Sequence, residues 1–350
     1  MKHKLCALFI IGYFLVACGT TPATQAVVRV PPTLRSLAQT HHILLGTAVN
    51  VYALQHDTVY DNTLAHEFDA VTPENVMKFD ATEPQKNTYT FTQADALVAF
   101  AQAHNMQVRG HNLVWHEALP SWIAKGTFTR DQLLAILKNH IFTVVGHYRG
   151  QVNMWDVVNE AIMSDGTMRN SIWSHDIGSD YLDWAFRWAH EANPQAHLFY
   201  NDYGAEGLNT KSNAIYALLK SMVQRGIPIY GVGLQMHTSI LDAPVEQDVI
   251  ANMQRLAALG LKVQITEMDV QIQGDTRSMA QRLAIQAQTY YNMLHTCLVV
   301  RTCEAFVMWG FTDRYTWIPS ATGHPDAPLI FDTSYHPKPA YTAILRELKS

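Results

Sequence analysis

The sequence predicts an α/β chain folded as a single (β/α)8 barrel. Three observations carry this. Eight short runs rich in apolar, β-branched and aromatic residues alternate with helical patterns. Most of the runs lack polar/apolar alternation, as strands buried on both faces do. Their centres recur 24 to 49 residues apart, the pitch of βα units. A chain of 350 residues would suggest two domains at ~150 residues each, but such barrels often exceed ~250 residues as one unit.

The strand runs are 44–49, 68–71, 107–111, 154–159, 197–201, 229–235, 262–266 and 305–309. Helical patterns lie between them at 57–67, 93–104, 131–148, 181–191, 212–224, 246–259 and 278–295. A last helix, 339–348, has Pro339 early and cations late, as the helix ends prefer. An open doubly wound sheet would carry a phosphate-binding glycine turn after its first strand, and Gly46-Thr47-Ala48-Val49 is not one. No second domain, repeat or low-complexity segment follows Pro32.

The amino terminus reads as an address. Met1-Lys2-His3-Lys4 is basic, and residues 5–17 form a 13-residue apolar run. A membrane span needs about 20, so this length suits a signal peptide over 1–17. Leu15-Val16-Ala17-Cys18 resembles a bacterial lipobox, which implies acylation of Cys18 and a lipoprotein anchored in the cell envelope. An ordinary secretory signal, giving a secreted or periplasmic protein, is the alternative. Residues 18–39 then read as a tether, leaving 40–350 as the barrel domain. Of four cysteines, Cys297 and Cys303 remain beyond this region. In an oxidising compartment they form a disulfide or stay as two buried thiols.

Composition narrows the partners. Net charge is −5 and charged residues make up 16%, with no Lys/Arg run, so a nucleic-acid partner is excluded. A neutral ligand fits better. His116-Glu117 opens like a zinc-protease motif, but Pro120 stands where the second histidine is needed. His41-His42 has no third ligand in view. No P-loop, Gly-x-Ser-x-Gly elbow or metal set is present in the sequence.

Polar residues collect where the strands end, the place a barrel keeps its reacting groups. Strand three runs into Arg109-Gly110-His111-Asn112-Leu113-Val114-Trp115-His116, strand four ends in Asn159-Glu160, strand six in Gln235-Met236-His237 and strand seven in Glu267-Met268-Asp269. Glu160 and Glu267 stand three βα units apart, so their strand ends can face each other across the mouth. Carboxyls roughly 5–5.5 Å apart suit a retaining glycosidase, one as acid/base and one as nucleophile. Two unrelated strand-end ion pairs are the plain alternative.

Trp155-Asp156-Val157-Val158-Asn159-Glu160 and Ile265-Thr266-Glu267-Met268-Asp269 resemble the two catalytic motifs of glycoside hydrolase family 10, the endo-β-1,4-xylanases. Thr72-Pro73-Glu74-Asn75-Val76-Met77-Lys78, Asn201-Asp202-Tyr203, Gly233-Leu234-Gln235-Met236-His237, Trp309-Gly310 and Pro337-Lys338-Pro339-Ala340-Tyr341 match in the same order. The resemblance implies a retaining hydrolase of xylan and xylo-oligosaccharides that needs no cofactor. It implies Glu160 as acid/base and Glu267 as nucleophile. Asn159 would bond the sugar 2-hydroxyl, and His237 would hold Glu267 while being held by Asp269. Glu74, Asn75, Lys78, His111 and Gln235 would bind sugar, with Trp115, Trp309 and Trp317 as apolar walls. Read without the resemblance, Glu74 and Lys78 are an exposed helical ion pair and His111 a core histidine. Asp156 reads as structural.

Two departures stand out. Ala118 replaces a glutamine common in the family, leaving a sugar contact missing or supplied by Glu117, and Ser164 replaces an aspartate after the acid/base. Rival readings are a lipoprotein that only captures glycans, and a barrel glycosidase acting on cellulose or mannan.

Overall fold

The computed structural model describes residues 32–350. The expected signal peptide 1–17, the expected acylation site Cys18 and most of the expected tether lie outside the described residues. Among the described residues no helix is long and apolar enough to cross a membrane. Nor does any group of three or more His, Cys, Asp or Glu side chains gather as a metal site there.

Nine parallel-paired strands appear in chain order: β1 (Leu44–Val49), β2 (Ala70–Pro73), β3 (Gln107–Gly110), β4 (Met154–Asn159), β5 (His197–Asp202), β6 (Gly231–Leu234), β7 (His237–Ser239), β8 (Lys262–Gln271) and β9 (Cys303–Met308). Each of β1 to β5 pairs with the next. β6 skips to β8, with Gly231 opposite Lys262, and β9 returns to β1, with Leu44 opposite Ala305. The sheet therefore closes into an eight-stranded barrel. β7 is a three-residue extension of the sixth strand that pairs with the upper part of β8, His237 opposite Asp269.

Two of the expected strands are matched residue for residue, β1 and β4. β8 runs to Gln271, five residues past the expected end, because β7 gives its carboxyl half a partner. Glu267 is thus held inside a strand rather than at its tip.

The outer helices begin where the chain supplies caps. Thr129, Asn209 and Ser278 each form a reciprocal capping box, opening helices Arg130–His147, Thr210–Gln224 and Met279–Val299. Pro339 occupies the first turn of the last helix, Pro339–Glu347. A helix at Leu34–Thr40 corrects the tether boundary. Leu34 and Ala38 are buried, and the Leu34 amide donates to Glu67 Oε2 at 2.9 Å, so the folded domain starts near Thr33.

The barrel interior carries a fully buried ion pair. Arg109 on β3 bonds both oxygens of Asp156 on β4 and donates to Gln264 on β8 at 2.5 Å, and its guanidinium lies 4.5 Å from the Phe199 ring centre. Both charges are removed from water, which is tolerable only with this full complement of partners. Burial would raise the Asp156 carboxyl, but Arg109 and His111 outweigh it and hold it below its ordinary value.

Cys297 and Cys303 form a disulfide, both ends buried. It closes a loop of six residues' separation, for which chain entropy gives about 2 kcal/mol. Replacing both by alanine should lower unfolding free energy by about that much and Tm by roughly 3 °C, read by chemical and thermal denaturation. An unchanged midpoint would show that the reduced chain already holds this turn.

Candidate active site

The carboxyl ends of β3 to β9 open onto a cleft of about 350 Å³ lined by Lys78, His111, Trp115, Glu160, His237 and Glu267, with Trp309 and Trp317 as aromatic walls. Glu160 directly follows β4 in a left-handed backbone conformation, φ 59°. A glutamate there is costly and persists only where neighbours enforce it. Both of its backbone groups are pinned: its N–H donates to Asn201 O at 2.9 Å, and Arg169 Nε donates to its carbonyl at 2.8 Å.

The Glu160 carboxyl accepts from Trp115 Nε1 at 2.9 Å on one oxygen, and from Gln235 Nε2 at 3.1 Å and Asn159 Nδ2 at 3.2 Å on the other. Burial raises its pKa above the ordinary range. The bonds from Gln235 and Trp115 offset this only in part, while the charges of Glu267 and Asp202 push the same way as burial. It is the group poised to hold a proton.

Glu267, 4% exposed, has the opposite environment. Its Oε2 lies 3.1 Å from His237 Nε2, and its Oε1 accepts from Asn201 Nδ2 at 2.7 Å. His111 Nδ1 stands 4.0 Å from the same Oε1. Burial raises this carboxyl too, but the His237 hydrogen bond and the His111 and His237 charges win, and its pKa falls below the ordinary value. Two carboxyls in one cleft are thus driven apart in acidity, as acid and nucleophile require.

His237 Nδ1 is 2.9 Å from Asp269 Oδ2, which also accepts from Trp317 Nε1 at 2.8 Å. Burial lowers the imidazole's pKa, but Asp269 and Glu267 more than reverse this and hold it well above its usual value. A charged His237 donates from both nitrogens, one to each carboxylate. The expected chain Asp269–His237–Glu267 is therefore present.

The remaining sequence-named residues divide. His111 is both a satisfied buried histidine, with Nδ1 3.0 Å from Asp156, and a wall of the cleft packed edge-on to Trp309 at 5.1 Å. Lys78 lines the cleft, donates to Asn75 Oδ1 at 2.8 Å and lies 5.0 Å from the Trp115 ring centre. Glu74 lies beside the cleft, accepting from Asn50 Nδ2 at 3.2 Å and bordering a small crevice with Trp309. Residues 74–78 form turns after β2, so Glu74 and Lys78 are not a helical ion pair, and no bridge joins them.

Several groups escaped the sequence reading. Asn201, at the end of β5, donates to Glu267 and also to Asn159 Oδ1 at 2.8 Å. One amide thus links the surroundings of both carboxyls. The Thr266 hydroxyl donates to Asn201 Oδ1 at 2.7 Å, which fixes which end of that amide faces Glu267. A Cβ at Gly233 would collide with Asn201 Oδ1, so glycine is needed there. Buried Glu206 accepts from the Met236 amide at 3.0 Å and so holds the left-handed turn, φ 68°, that aims His237. The signal for Asn201 was its polar run at a strand tip; nothing local marks Glu206.

With this geometry in hand, the comparisons with known proteins are specific. Residues 33–347 match Glycosyl hydrolase family 10. The chain is 41% identical over 338 residues to Endo-1,4-beta-xylanase B of Thermotoga neapolitana, covering 95% of each. Its fold is similar to xylanase 10B from Thermotoga petrophila RKU-1, solved in complex with xylobiose, with TM-score 0.89, 41% identity, and 92% and 98% coverage of the two chains. It is also similar to the Penicillium canescens endo-1,4-beta-xylanase XylE, with TM-score 0.88, 36% identity, and 91% and 98% coverage. A strand-borne carboxyl pair of split acidity and a match along nearly the whole barrel agree: the chain is a member of glycosyl hydrolase family 10.

Proposed function

We propose that this hydrolase cleaves internal β-1,4 bonds of xylan with retention of configuration. The observation that carries the reading is the opposite displacement of Glu160 and Glu267 over one cleft. A sugar acetal loses its leaving oxygen readily only once that oxygen is protonated, and Glu160 supplies the proton. Glu267 attacks the anomeric carbon from the other face, forming a glycosyl-enzyme. Glu160, now ionised, takes a proton from water, which displaces Glu267. The two inversions sum to retention. Asn159, bonded between Glu160 and Asn201, directs an amide at the sugar 2-hydroxyl, and Trp115, Trp309 and Trp317 offer flat apolar faces to pyranose rings. The xylanases named above support xylan as the polymer.

The protein should release short β-anomeric xylo-oligosaccharides from unbranched xylan, read by NMR before mutarotation, with no release from cellulose or mannan at comparable rates. Its kcat/KM should be bell-shaped in pH. The acid limb reflects protonation of Glu267, whose pKa is depressed, and the alkaline limb reflects ionisation of Glu160, whose pKa is raised. α-Anomeric first products would refute the double displacement.

For its location, the basic stretch, the 13-residue apolar run and the Leu15-Val16-Ala17-Cys18 sequence support a signal peptide over 1–17 and a lipid anchor on Cys18, holding the hydrolase in the bacterial cell envelope.

A further inference from the structure

The loop after β3 places a carboxylate at the cleft for which the fold has no use. Glu117 lines the same cavity as Trp115, Lys78 and Glu160, and its side chain is 64% exposed. Among the described residues no lysine or arginine lies within ion-pair distance of it, and the ionisable side chain that does is His116, Nε2 at 3.5 Å. Burial, helped by the charges of Arg169 and Lys211, pulls His116 down to about 4, so near neutral pH it brings no positive charge.

The nearby cations are otherwise engaged. Lys78 is bonded to Asn75 and lies in the field of Glu267, Glu74, Asp80 and Glu160. Arg169 donates to the Glu160 carbonyl and to Tyr203, and Lys211 pairs with Asp202 at 2.8 Å. Glu117 therefore presents an uncompensated negative charge to whatever occupies the cleft. Beside it, Ala118 has a left-handed backbone, φ 50°, and its carbonyl accepts from the Asp80 amide at 2.9 Å, which fixes the loop and the direction in which its neighbour projects.

We propose that Glu117 makes the cleft discriminate against xylan bearing acidic, uronate-type branches on the sugar bound beside Trp115. The inference rests on the xylanase reading above. Plain xylan and neutral pentose branches carry no charge and are not repelled by this carboxylate. A branch carboxylate brought within a Debye length, about 8 Å at physiological salt, is repelled. At such an exposed site the effect is modest, about five-fold in kcat/KM.

The test compares three xylo-oligosaccharides of equal backbone length: unbranched, singly arabinose-branched and singly uronate-branched. Hydrolysis of the unbranched one by the wild type tests the xylanase reading separately, and its failure would sink that reading whatever Glu117 does. Given that activity, Glu117→Gln should raise the uronate-to-arabinose ratio of kcat/KM about five-fold. In the wild type, added salt near 1 M should raise the same ratio, because the Debye length shrinks to about 3 Å. A substitution that moves both branched substrates equally, or a ratio indifferent to salt and to Glu117→Gln, overturns the proposal.

Discussion

Glu267→Ala should lower kcat on xylan and on activated aryl xylosides alike, on the order of 10⁵-fold. Without that carboxylate no glycosyl-enzyme forms, so neither a better leaving group nor a change of pH restores turnover. The vacated volume lies against the face of the anomeric carbon opposite the leaving group. A small anion such as azide can enter it and attack once while Glu160 still protonates the departing oxygen. The product should be an α-xylosyl azide, inverted relative to the substrate. A β-azide from this variant would mean that Glu267 is not the group on the attacking face. Because Glu267 is almost fully buried and shares hydrogen bonds with His237 and Asn201, circular dichroism should accompany the kinetics.

Glu160→Ala should behave differently in every respect but one. On xylan, where the leaving group is a sugar alkoxide, the loss should be about 10²- to 10⁴-fold. On substrates whose leaving group departs as a stable phenolate, glycosylation needs no proton and should be little affected, so that the glycosyl-enzyme accumulates in a burst. Hydrolysis of the intermediate then limits turnover, because no base activates water. Azide should accelerate that step and give the β-azide. The alkaline limb of the pH profile should vanish as well, since Glu160, with its raised pKa, produces it. Equal losses on both substrate classes would remove Glu160 from the acid/base role. The shared feature is that both variants keep Trp115, Lys78 and the aromatic walls, so each should still bind xylo-oligosaccharide.

The barrel was legible because its strands are buried on both faces and read as unbroken apolar runs. The reacting pair was legible because a glutamate beside such a run is otherwise hard to explain. β7 left no such trace: His237-Thr238-Ser239 has no apolar pattern and becomes a strand only by pairing with Asp269–Gln271. The extended end of β8 was hidden for the same reason. The Leu34–Thr40 helix is too short for periodicity to show, and it is fixed by a distant carboxylate, Glu67. Within the site, the roles of His237 and Asp269 were visible from the family motifs. Asn201's was not, because its partners Asn159 and Glu267 are 42 and 66 residues away. Trp115 was expected only as an apolar face, yet its indole N–H also holds Glu160.

Apart from Trp115, every side chain that hydrogen-bonds the carboxyl of Glu160 or Glu267 sits on a barrel strand or one residue past its end: Asn159, Asn201, Gln235 and His237. Selectivity toward decorated polymers is written elsewhere, on the connecting segments that carry Glu117. That division lets one part change while the other is conserved. Swapping rim segments among relatives should retune which decorations are accepted without resetting the acidities that break the bond, so substrate range in this scaffold can drift far ahead of its chemistry.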